Sequence, residues 1–98
     1  MQANTKLSDN QKIQLRNLRS ALPEVKVVNL NNKTTIAYVH KGNTVEFALS
    51  VMAPTENKFR PKVGEYYARL RYMGENTVKM DKDDFLAMCD CLWDAYPF

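Results

Sequence analysis

Lys58-Phe59-Arg60-Pro61-Lys62-Val63-Gly64-Glu65-Tyr66-Tyr67-Ala68-Arg69-Leu70-Arg71-Tyr72 holds five cations, one anion and four aromatic rings. Its second half decides the fold. From Val63 to Met73, apolar and polar residues alternate, with Tyr66, Ala68, Leu70 and Tyr72 on one side and Glu65, Tyr67, Arg69, Arg71 and Met73 on the other. Alternation at period two is the pattern of a half-buried strand, and it predicts a strand over 63–73 whose second face meets solvent.

Upstream, Ser8-Asp9-Asn10-Gln11 has the form of a capping box, a hydroxyl at the cap with an amide three residues on. A helix is predicted from Asp9 to Leu22, stopped by Pro23. Leu15, Leu18 and Leu22 share one face, and Lys12, Arg16 and Arg19 form a basic stripe with Asp9 as the only negative residue. β-Branched and aromatic residues then predict strands over Val25–Leu30, Lys33–His40 and Thr44–Met52, turning at Asn31-Asn32 and Lys41-Gly42-Asn43. In the third strand Val45, Phe47, Leu49 and Val51 are expected inward, and Thr44, Glu46, Ala48 and Ser50 outward.

Residues 53–62 contain two prolines and little apolar pattern, so a long loop is expected there. Downstream, a turn at Gly74-Glu75-Asn76 leads to a short strand, Thr77–Met80, and to a last helix capped by Asp81. Asp83 and Asp84 there offset the positive end of the helix dipole. Phe85, Cys89, Leu92 and Tyr96 fall in one sector of that helix, flanked by Leu86, Met88 and Trp93. The expected architecture is α+β: an antiparallel sheet of four or five strands with the N-terminal and C-terminal helices packed on one face. A sheet followed by an acid-capped helix is similar in outline to small single-stranded-DNA-binding domains of the transcription-coactivator type, a similarity of layout that transfers no residues.

A chain of 98 residues with 45% apolar and 26% charged residues is read as one domain, 1–98, with 1–7 expected to be a flexible start. No apolar run reaches the roughly 18 residues of a membrane span, and residues 1–6 lack a secretory pattern, so a cytoplasmic protein without a membrane partner is expected. Cys89 and Cys91 point in different directions on a helix and are expected as reduced thiols. Cys-x-Cys with the single His40 falls short of a zinc site. Asp81, Asp83 and Asp84 lack the glycine and alternating oxygen ligands of a calcium loop. No glycine-rich phosphate loop, nucleophile elbow or identifiable carboxylate pair is present, so neither an enzyme, a cofactor nor a small-molecule substrate is expected.

Binding is what remains. Residues 1–80 carry 13 Lys or Arg against 6 Asp or Glu, and residues 81–98 carry 1 against 5, so the acidic charge is gathered at one end. The first expected function is a small non-enzymatic nucleic-acid-binding domain for single strands. Lys58, Arg60, Lys62, Arg69 and Arg71 would meet phosphates, Tyr67 would stack on a base, and Lys12, Arg16 and Arg19 would extend the surface. The alternative is a small inhibitor or accessory protein of phage or mobile-element type, whose basic face docks on an acidic protein surface or a nucleic-acid enzyme. A third reading, a homo-oligomer, rests on open strand edges and on the rings of the C-terminal end, with Phe98 as an exposed anchor.

Overall fold

The computed structural model describes residues 7–30, 33–52 and 60–95, the side chains of 92–95 excepted. The turn at 31–32, most of the loop expected at 53–62, Lys58, the rings of Trp93 and Tyr96, and Phe98 lie outside the described residues. In chain order the elements are α1 (Asp9–Ala21), β1 (Lys26–Leu30), β2 (Thr34–Lys41), β3 (Thr44–Val51), α2 (Pro61–Met73), β4 (Val78–Asp81) and α3 (Lys82–Ala95). The class is α+β, with a four-stranded antiparallel sheet in the order β1-β2-β3-β4.

α1 begins as predicted. Ser8 Oγ accepts from the Gln11 amide at 3.2 Å and the Ser8 amide donates to Gln11 Oε1 at 2.9 Å, closing the capping box. The β2–β3 hairpin turns through Gly42 and Asn43, where only Gly42 has a positive φ, 61°. That is the pattern of a type II′ turn, which asks for glycine at its first central position.

The predicted fourth strand is a helix. Residues 61–73 satisfy two periods at once, because Val63, Tyr66, Tyr67 and Leu70 also fall at i, i+3, i+4 and i+7. Three signals favour the helix. Pro61 stands at its first position, where a missing N–H costs nothing, and Gly74 follows its last residue. Between them Glu65 and Arg69 pair at i,i+4 with an N–O distance of 2.8 Å. Pro61 and Lys62, assigned to the loop, are therefore helical. With a helix here, the outline shared with coactivator-type DNA-binding domains disappears.

The N-terminal and C-terminal helices do not share a face. Ala37 and Val39 of β2 pack with Ala68 of α2, while Ile36 of β2 packs with Phe85 of α3. Successive strand residues point to opposite sides, so α2 and α3 cover opposite faces of the sheet. α1 lies on the α2 side, through Leu15 and Leu18 against Tyr66. Leu7, expected in a flexible start, is buried in the same cluster.

Covering both faces explains why β3 does not follow its predicted inside and outside. Ala48 and Ser50 are buried although they were expected outward, and Val51 is exposed although it was expected inward. On the α3 side, the Phe85 ring lies 5.6 Å from Tyr38 and 5.2 Å from Phe47, centroid to centroid, both tilted. Such aromatic pairs add to the apolar area they bury.

Two substitutions test the two-faced core by chemical denaturation. Phe85→Ala is expected to lower the unfolding free energy by about 3–5 kcal/mol through the cavity it leaves. Ala68→Leu forces side-chain atoms into the close approach of α2 to β2 and is expected to cost about 1–3 kcal/mol. A neutral Ala68→Leu variant would contradict a helix seated on that face.

Candidate binding surface of helices 1 and 2

Leu15 meets Tyr66, and Leu18 and Leu22 gather with Arg69 and Met73. These pairings rise together along both chains, so α1 and α2 run side by side in the same direction. Their amino ends therefore lie at one end of the molecule.

Across this seam the guanidinium of Arg19 grips Glu65 with two bonds, Nε to Oε2 at 2.8 Å and Nη2 to Oε1 at 2.7 Å. Arg69 donates from Nε to the same Oε2 at 2.8 Å. The Glu65 and Arg69 side chains are 15% and 11% exposed, so this carboxylate and one of its cations are mostly out of water. Hydrogen bonding to Arg19 is the main reason that the Glu65 carboxyl is held below its ordinary value, against the opposing effect of burial. The same bond raises Arg19.

The clamp fixes which sides of the helices meet. Lys12, Arg16 and Arg19 form one stripe of α1, and Lys62, Glu65 and Arg69 one stripe of α2. Because Arg19 and Glu65 touch, both stripes lie on the same side of the seam. Toward the amino ends it continues with Lys12, Arg16 and Lys62, all exposed. Among the described residues none of these three, nor the half-buried Arg60 that precedes α2, has an ion-pair or hydrogen-bond partner through its side chain.

The site expected on a strand face is thus rearranged. Arg69 is committed to Glu65 and is no longer on offer. Arg71 Nη1 donates to the Leu49 carbonyl at 2.6 Å, where β3 has run past the end of its β4 ladder. Tyr67 is half-buried beside Leu7 and Leu15, with its ring 5.1 Å from that of Tyr66, so it is not an open stacking platform. Arg60 and Lys62 remain available at the start of α2, while the first-helix stripe, assigned an auxiliary role, moves to the centre. Its partner in the clamp, Glu65, was missed as a functional position. The i,i+4 spacing of Glu65 and Arg69 was the signal that could have found it.

Charge is segregated by layer. Residues 9–21 and 60–73 carry seven Lys or Arg against two carboxylates, a balance of +5. α3, on the opposite face, carries Lys82 against four Asp, a balance of −3. The sheet therefore stands between a basic layer and an acidic one, which keeps the acidic helix from neutralising the basic seam.

His40 and Cys89 come together on the walls of a cleft under α3 but share no hydrogen bond among the described residues. Burial, with Asp90 adding to it, pushes the Cys89 thiol up, the opposite of what a thiolate nucleophile needs. Both cysteines are free. No group of three or more His, Cys, Asp or Glu among the described residues is placed to hold a metal ion, and no helix there is long and apolar enough to cross a membrane. Compared with known proteins, the chain matches no family model, no curated sequence and no solved structure.

Glu65→Gln tests the clamp. Loss of the charge leaves Arg69 half-satisfied in a dry position, and stability at neutral pH is expected to fall by about 1–3 kcal/mol. A carboxyl lowered by folding contributes stability that is full above its ordinary value of 4.5 and is lost as pH falls through the lower folded-state value. Unfolding curves between neutral and strongly acid pH should therefore show a shallower acid loss in the variant than in the parent chain. Equal acid slopes would rule out Glu65 as a contributor.

Proposed function

We propose that the chain is a small non-enzymatic nucleic-acid-binding domain whose contact surface is the α1–α2 seam. The supporting observation is the run of exposed cations Lys12, Arg16 and Lys62 beside a seam whose central carboxylate, Glu65, is already shared by two arginines, Asp9 in the first turn of α1 being the other carboxylate of the two helices. Cations held apart from carboxylates are the condition under which phosphate contact releases counterions instead of breaking internal ion pairs. Arg60 extends this surface at the start of α2, and both helices direct the positive ends of their dipoles to the same end. No chemistry is involved. Affinity comes from the backbone of the nucleic acid, and Tyr67, being half-buried, contributes packing and not base stacking.

An acidic protein surface is the second reading, in keeping with an inhibitor or accessory role. The loss of Tyr67 as a stacking platform favours it, because the remaining groups recognise negative charge without reading a base.

A salt-titrated binding assay against single-stranded DNA, double-stranded DNA and RNA decides between them. Affinity is expected to fall steeply with salt, and the triple variant Lys12→Gln, Arg16→Gln, Lys62→Gln should reduce the log–log slope by about 2–3. Absent or salt-independent binding to all three probes would overturn the nucleic-acid reading and leave the protein partner.

A further inference from the structure

On the other face of the sheet, α3 does not close down on its neighbours. Val28 and Leu30 of β1 and Tyr38 of β2 are half-buried and apolar or aromatic, and Leu86 of α3 is 50% exposed. Between them lies a cleft of about 300 Å³ floored by Phe85 and Cys89. That volume is at the small end of ligand cavities, which run from about 300 to 1,000 Å³. An apolar occupant would gain by removing this wet apolar surface from water.

The mouth of the cleft has a sign. Among the described residues its charged or titratable members other than Cys89 and Tyr38 are His40 and Lys82, both exposed, and no carboxylate lines it. Helical spacing explains this inside an acidic helix. Lys82, Phe85, Leu86 and Cys89 fall at i, i+3, i+4 and i+7 on the stripe facing the cleft, whereas Asp83, Asp84 and Asp90 fall on the others. The Lys82 amide donates to the Asn43 carbonyl at 2.7 Å, which ties the first residue of α3 to the β2–β3 hairpin beside His40. Among the described residues the side chains of Lys82 and His40 have no hydrogen-bond or ion-pair partner.

We propose that this cleft binds a small amphipathic carboxylate, its apolar body between Phe85 and the strands β1 and β2, its carboxylate at Lys82 and His40. The cleft is on the face opposite the α1–α2 seam and stands on separate residues, so its fate is independent of the nucleic-acid reading.

The test is amide chemical-shift titration of the whole chain with octanoate, octanol and octylammonium at about 0.15 M salt, where charges beyond roughly 8 Å are screened. Octanoate is expected to bind saturably, with shifts at Val28, Tyr38, Phe85 and Cys89, and more tightly than octylammonium. Lys82→Gln should weaken octanoate roughly three- to tenfold and leave octanol unchanged. Leu86→Glu, at an exposed position that the fold does not need, should abolish octanoate binding by placing a carboxylate at the rim. Absence of saturable binding, shifts confined to other parts of the molecule, or octylammonium binding as tightly as octanoate would overturn the proposal.

Discussion

Over residues 34–37 strand β2 has no exposed face. Thr34, Thr35, Ile36 and Ala37 are each fully buried, so every side chain in that run needs a partner layer above or below the sheet. The described residues hold three helices with which to supply two layers. One face accepts α2 at close range because Ala37, paired with the equally small Ala48 across β2 and β3, packs with the small Ala68. The other accepts the aromatic edge of α3, because Ile36, Tyr38 and Phe47 present bulk there. Small residues on one side and large ones on the other set which helix goes where.

Polar groups in these layers are settled in different ways. Thr35 Oγ1 bonds Asn29 Oδ1 at 2.9 Å across the β1–β2 pair, and Thr77 Oγ1 donates to Glu46 at 2.6 Å, the chief reason that this carboxyl is held below its ordinary value. The Tyr66 hydroxyl donates to Gln14 on α1, so the ring that fills the seam also ties it. Among the described residues Thr34 Oγ1 is the exception, buried with no partner at the end of β2 where Thr34 stands between Leu30 and Val51. A threonine there is still tolerable for its β-branched shape, which suits a strand.

Local chemistry was legible wherever a residue acts on its immediate neighbours. Ser8 with Gln11 announced α1, and Gly42 announced the hairpin, because caps and turns are decided within four residues. The stretch 63–73 was not legible by alternation, since Tyr66, Ala68, Leu70 and Tyr72 fit a strand while Val63, Tyr66, Tyr67 and Leu70 fit a helix. Pro61 and Gly74 at its two ends, and a run of 11 residues that is long for a strand, were better guides. The cations of the candidate surface could be named from sequence, but not sorted into free and committed ones. Sorting them depends on Glu65 meeting Arg19 from 46 positions away, a contact that no local pattern encodes.

α1 leans chiefly on α2, yet three strands of sequence separate the two. Among the described elements α2 and α3 pack on the sheet, whereas α1 rests on a helix that the sheet already holds. α1 is therefore the element able to detach while the sheet, α2 and α3 stay folded, a small cooperative unit of its own. Half of the basic seam travels with it. The surface formed by Lys12, Arg16 and Lys62 exists as one surface only while that last piece is in place, which makes its integrity a matter of local opening and not of global stability.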